Sequence, residues 1–260
     1  MLRNCSISAV GVGLAIASAN AVHAHGDVWL STDVVNDKLA VGVVDEAGTT
    51  FTPGERVFEG ILTPDLLPFS SFEFSAQDPG FRSAAGELPP SQAISLTVTS
   101  LSVWNGSGLD PVADVDFDFD LSGGFSSEAD GSVHEHPLLG LASLTANPVP
   151  DGAYVASMRA SAAGLGDSDE FYFVLLKDDL IMDEDDLEAL EALLEDYENG
   201  GPAPVFGGKD FSFFEEAVEF VESVPEPNGL ALAGFAAVIG VFVRRRRTNG
   251  SAGASPSQLI

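Results

Sequence analysis

Cysteine is all but missing from this chain: among 260 residues there is one, Cys5. A single cysteine excludes an intrachain disulfide. Its place inside an apolar leader leaves the rest of the chain without a thiolate nucleophile or a cysteine metal ligand, and it stands too early to be the acylated residue of a lipoprotein. Positive charge is equally scarce, with 11 Lys and Arg against 40 Asp and Glu and a formal net charge of -29. Five of the 11, Arg3 and Arg244 to Arg247, lie in the terminal segments, which leaves six between them; of the 40 acids only Glu226 lies there, which leaves 39. The intervening chain thus carries about -33, a surface that repels phosphate backbones and argues against nucleic acid as a partner, while favouring cations and basic proteins. Catalytic signatures are missing as well. Ser107 stands in Asn-Gly-Ser-Gly rather than a Gly-x-Ser-x-Gly elbow, no phosphate-binding loop or zincin motif occurs, and nothing selects two of the many carboxylates as a glycosidase pair. The expected role is non-enzymatic.

Both ends of the chain carry targeting patterns. Arg3, the apolar stretch Ile7 to Ala19 and the small residues up to Ala24 form the charged, apolar and cleavage regions of a signal peptide. Cleavage after Ala24 makes His25 the first residue, whereas Ala19-Asn20-Ala21 allows a cut that leaves Val22 first. Toward the other end stand Val224, Pro225, Glu226 and Pro227, then the uncharged run Gly229 to Val243, then Arg244, Arg245, Arg246 and Arg247. As a helix that run of 15 residues spans about 22 Å, short of a full hydrocarbon core but able to cross a thinned one, with the arginines held on the cytoplasmic side.

The order Val-Pro-Glu-Pro, short apolar helix, arginine cluster resembles the PEP-CTERM sorting signal of Gram-negative-type bacteria. That resemblance covers Val224 to Arg247 and implies a membrane anchor that an exosortase-type transpeptidase cuts near Pro225-Glu226-Pro227. A plain membrane anchor would use the same helix and arginines. The His25-Gly26-Asp27 opening, Trp104-Asn105-Gly106, His134-Glu135-His136 and an acidic C-terminal helix together resemble exported planctomycete-type PEP-CTERM proteins of unknown function.

Between the terminal segments, short alternating runs separated by turn residues indicate a mainly β domain, an antiparallel sandwich of immunoglobulin-like or jelly-roll-like kind. Val28 to Val35, the turn at Asn36-Asp37, and Leu39, Val41 and Val43 predict a hairpin; Asp45 to Gly48 predicts a second turn. Arg56 to Leu62 and Ile94 to Trp104 predict strands, Phe171 to Leu176 a central one. From Asp183 the period changes. Acids at 183–186, the face Leu187, Leu190, Leu194 and Tyr197, and the stop at Asn199-Gly200-Gly201-Pro202 predict a helix. Ser212 with Glu215 forms a capping-box pattern for a second helix with the stripe Phe214, Ala217, Val218 and Val221. Both helices either pack on the sandwich or form a stalk. The expected division is 1–24 signal peptide, 25–178 β domain, 179–224 acidic helical segment, 225–247 sorting signal with its transmembrane helix, and 248–260 cytoplasmic tail.

Four histidines are present, His23, His25, His134 and His136. An extended His134-Glu135-His136 puts both imidazoles on one face, able to chelate copper, zinc or nickel, and a mature N-terminal His25 would add its amine and ring. The N-terminal His-Gly resembles the start of lytic polysaccharide monooxygenases, and His25 together with the Asp130-Gly131 step before His134 resembles periplasmic copper carriers of the CopC type. Both resemblances imply a copper brace, the first with oxygenase activity. The alternative is that His134 and His136 are ordinary strand residues and His25 a frayed terminus. Asp114, Asp116 and Asp118 mimic the start of a calcium loop, but Phe119 stands where glycine is needed, so strand alternation explains them better and calcium is expected only as a loose ligand of the acidic surface. The expected protein is an exported, membrane-anchored and then processed component of the cell envelope or extracellular matrix that binds a polymer, a cation or a partner protein, or alternatively a copper- or zinc-binding protein using His25, His134 and His136.

Overall fold

The computed structural model describes residues 27–44, 50–66, 70–120 and 124–224. The chain opens with the expected hairpin, β1 (Val28–Asp33) against β2 (Lys38–Val44), in the register Trp29 to Gly42. Asp33 closes the turn by accepting the N–H groups of Val35 at 3.0 Å and Asn36 at 3.1 Å, and Asp37 takes the left-handed φ of 54° that an Asp tolerates. There follow β3 (Phe51–Pro53), β4 (Val57–Pro64), β5 (Phe74–Ala76), β6 (Phe81–Ser83), β7 (Ala93–Trp104), β8 (Leu109–Pro111), β9 (Val115–Phe119) and β10 (Gly124–Ser126). Next come β11 (Val133–Glu135), β12 (Leu139–Ser143), β13 (Gly152–Ala162) and β14 (Phe171–Lys177).

Two curled sheets share one core. The smaller runs β11-β6-β1-β2-β3; the larger runs β10-β7-β13-β14-β4-β5-β12-β9, with β8 on the edge of β7. Leu30, Leu39 and Phe81 of the smaller sheet face Phe58, Phe171 and Phe173 of the larger, all at 0% exposure. Phe81 meets Phe173 edge-to-face at 6.0 Å, the favoured geometry for aromatic quadrupoles. With Phe81 anchored in the core, alternation along β6 turns Arg82 outward. On β9 the same alternation buries Val115, Phe117 and Phe119 and leaves Asp116 and Asp118 in water, as the sequence pattern predicts.

The expectation of a wholly antiparallel sheet needs correction. β1 pairs with β6 in parallel, and β14 pairs with β4 in parallel from Tyr172–Val57 to Lys177–Leu62. β14 tolerates that place because its residues are apolar on both faces: Phe171, Phe173 and Leu175 enter the shared core, and Val174 and Leu176 enter a second one. The second core is roofed by α1 (Glu184–Glu198) and α2 (Ser212–Ser223), linked through β15 (Val205–Phe206) and β16 (Lys209–Asp210). Leu190 and Leu194 of α1 and Phe214, Ala217, Val218 and Val221 of α2 are fully or almost fully buried against Val155, Val174 and Leu176. Both helices therefore pack on the sheet, which decides against a stalk.

α1 starts where the acids indicate, with the Asp183 side chain accepting the Asp186 N–H at 3.1 Å. At α2 the capping box is absent. Ser212 is the first helical residue, its N–H bonds to the Asp210 carboxylate at 2.9 Å, and Phe211 in the cap position makes no side-chain cap. Burial of Phe211 at 0% exposure fixes the helix entry one residue earlier, and Glu215 is turned into the protein at 5% exposure instead of back toward the cap. Among the described residues no helix is long and apolar enough to cross a membrane; Pro225 to Arg247, with the expected transmembrane helix, and the leader 1–24 lie outside the described residues, as do His25 and the turn expected at 45–48.

Candidate metal centre

His134 and His136 reach the outer face of the smaller sheet through β11. Val133 is buried at 3% exposure, so the next side chain, His134, points outward, and the step of two brings His136 to the same side. The two rings lie 5.2 Å apart between centroids at an interplanar angle of 65°. The histidine pair expected from the sequence is therefore assembled.

Its third member is Asp27, and a fourth side chain, Arg82, stands among them. β11 pairs with β6 with His134 opposite Arg82, and β6 pairs in parallel with β1 with Arg82 opposite Trp29. That parallel pairing carries the start of β1 to the histidines. The Val28 N–H bonds the Gly80 carbonyl at 2.8 Å, and the Gly80 N–H returns a bond to Asp27 Oδ1 at 3.0 Å. Gly80 leaves room for both side chains: a Cβ there would fall 2.6 Å from His136 Nδ1 and 2.8 Å from Asp27 Oδ1, so one or both would have to move aside.

One ligand atom from each of Asp27, His134 and His136 lies within 4.8 Å of the other two. Asp27 Oδ1 is 3.8 Å from His136 Nε2. His136 Nδ1 lies 3.1 Å from Asp78 Oδ1; with the proton assigned to Nδ1 it donates to that carboxylate, leaving the Nε2 lone pair turned toward Asp27. A carboxylate behind a ligating imidazole is the usual way a metal site orients its histidine. Arg82 Nη2 donates to His134 Nε2 at 3.1 Å, so that lone pair too is directed inward, and the guanidinium forms an ion pair with Asp27, Nε standing 2.8 Å from Oδ2. The Asp27 side chain is 14% exposed, which gives the carboxylate a partly dry setting.

Two neutral imidazole nitrogens and a carboxylate are a donor set for zinc, copper(II) or nickel, with positions left over for water or further ligands. Ligands at about 2.0–2.1 Å from one ion need their donor atoms roughly 3–3.5 Å apart, so side-chain rotations, with Arg82 moved aside from Asp27 and His134, would complete the set. His25, expected as a ligand, precedes Asp27 by two residues and lies outside the described residues. Asp27 and Arg82 carry no mark in the sequence because nothing local encodes a parallel pairing between residues 28 and 81. The one available signal was scarcity, Arg82 being one of six basic residues between the terminal segments.

The remaining acids are arranged otherwise. Glu59 on β4, Glu198 on α1 and Glu215 on α2 bring carboxylate oxygens within 4.8 Å of one another beneath the helices. A groove of about 1140 Å³ beside them, between the β4–β5 side of the sheet and α1, is lined by further acids including Asp65, Asp183, Glu188 and Glu195. Val224, first residue of the expected sorting signal, ends the described chain with its carbonyl accepting from Arg56 Nη2 at 3.3 Å. No protein-family model matches the chain, and no curated protein matches it.

Proposed function

We propose that this chain is an exported, acidic, non-enzymatic component of the cell envelope whose body, read as a β-sandwich of immunoglobulin-like or jelly-roll-like kind, binds a divalent transition metal, copper(II) or zinc(II), through Asp27, His134 and His136. The observation that carries the metal reading is the convergence of Asp27 ahead of β1 with the histidines of β11, bridged by β6 and spaced by Gly80. Titrating zinc(II) into the purified protein, followed by calorimetry, is expected to give one site per chain that the His134→Ala/His136→Ala variant loses by at least about tenfold in affinity. Equal, weak uptake by both proteins would sink the site. An oxygenase is the enzymatic extension of this reading and requires His25 as the mature first residue, which N-terminal sequencing tests.

The export part of the proposal rests on the leader, Pro225-Glu226-Pro227, the apolar run and Arg244 to Arg247. Its support in the body is the exit of the chain. Val224 is extended, with φ -70° and ψ 116°, as the residue before a proline prefers, so the helix stops ahead of Pro225. An exosortase-type transpeptidase would meet its substrate just beyond a folded stop. Replacing Pro225, Glu226 and Pro227 by alanine is expected to leave membrane insertion intact and abolish the size shift on processing; a persisting shift would reduce the segment to an anchor.

A further inference from the structure

We infer that Arg82 is an internal cation that occupies the metal centre in the absence of a metal ion and leaves it when one binds, so that uptake is an exchange of one cation for another. This rests on the metal reading above and adds how the site is regulated.

The guanidinium takes one inward-facing donor atom from each of two ligands. Nε stands 2.8 Å from Asp27 Oδ2 in an ion pair, and Nη2–H binds His134 Nε2 at 3.1 Å. The other Asp27 oxygen accepts the Gly80 N–H at 3.0 Å. Of the three ligands, His136 alone keeps its Nε2 clear of Arg82, facing Asp27 Oδ1 at 3.8 Å. A metal ion cannot join this arrangement. It needs the same lone pairs, and it would stand beside a second positive charge.

The same contacts explain why the ligands are already gathered. Two imidazoles and a carboxylate on a solvent-facing sheet would otherwise spread over their rotamers, and ordering them would oppose metal binding. Arg82 holds Asp27 and His134 near the geometry that a metal needs, with its backbone fixed in β6 between the buried Phe81 and Ser83. Its own side chain is 47% exposed, so a path into water is open, and a half-exposed ion pair contributes little net stability to hold it in place. Exchange also selects among cations. Calcium and magnesium bind neutral imidazole too weakly to replace a guanidinium there, whereas zinc(II) and copper(II) compete for nitrogen lone pairs.

The test is zinc(II) titration of the full chain as wild type, Arg82→Gln, Arg82→Lys and His134→Ala/His136→Ala, with thermal unfolding confirming that each remains folded. Arg82→Gln is expected to bind zinc about five- to tenfold more tightly than wild type, since the competitor is gone, and Arg82→Lys to fall between them because the charge stays while the two-point fork is lost. In wild type the Arg82 guanidinium resonances, held by His134 and Asp27, should shift on zinc addition. Wild type and Arg82→Gln binding with equal affinity, or the variant binding more weakly, overturns the exchange while leaving the metal site standing. Failure of both to bind, or binding that the double histidine variant retains, overturns the metal reading and this inference together.

Discussion

Lys177, at 1% side-chain exposure, is the one basic residue in the core among the described residues, and its surroundings show how an acidic protein places its few cations. Its ammonium binds Asp151 at 2.8 Å and Asp179 at 2.5 Å and lies 4.4 Å from the centre of the Phe74 ring. Lys209 completes the cluster by pairing with buried Asp178. Burial alone would raise the Asp151 pKa, but the hydrogen bond and charge of Lys177 outweigh it and leave the group below its ordinary 3.8. Burial alone would lower the Lys177 pKa, but its bonds to Asp151 and Asp179 leave it above 10.5. A lowered carboxylate stabilises the fold above its unfolded value and loses that contribution as pH falls through the folded one. A raised lysine stabilises below its unfolded value and loses its contribution as pH rises through the folded one. The pair therefore supports the fold across the window from about 4 to 10.5 and weakens at both edges. Lys177→Met should cost about 1–3 kcal/mol in urea unfolding at neutral pH, with a smaller difference once Asp151 is protonated. A cost independent of pH would mean that Lys177 acts by packing alone.

At the scale of elements, what could be read ahead depended on whether the information was local. The β1–β2 hairpin, β7, β9 and α1 were legible because period and turn chemistry lie within a dozen residues of one another, and Asp183 caps α1 as its position indicates. Three-residue strands such as β5, β6, β10 and β11 carry no period to detect; tertiary pairing alone defines them. At α2 the local pattern misled, because Phe211 gains more by entering the core than Ser212 gains by capping, and Asp210 supplies the bond instead. The helices are held by the second core, where Leu194 is fully buried among residues of α2 and the larger sheet. Leu194→Ala should lower stability by about 2–5 kcal/mol, measured by urea unfolding, and loosen α1. A loss below about 1 kcal/mol would mean that the helical layer contributes little to the fold.

Across the whole molecule, the acidic groove and the histidine cluster lie on different sheets. The helices and the groove beside α1 carry a dense set of acids, whereas both histidines of the body stand on the outer face of the other sheet, together with Arg82. Half of that centre was legible: His134 and His136 declared themselves by spacing. Asp27 and Arg82 did not, because a parallel pairing of β1 with β6 assembles strands about 50 residues apart in the chain, and no local pattern encodes it. The measurement that tests the account most directly is the electron paramagnetic resonance spectrum of copper(II) added in equimolar amount to the purified protein. The account predicts a single copper species with nitrogen hyperfine splitting from two imidazoles, lost in the His134→Ala/His136→Ala variant. A spectrum without nitrogen coupling, or one that the variant reproduces, would contradict it.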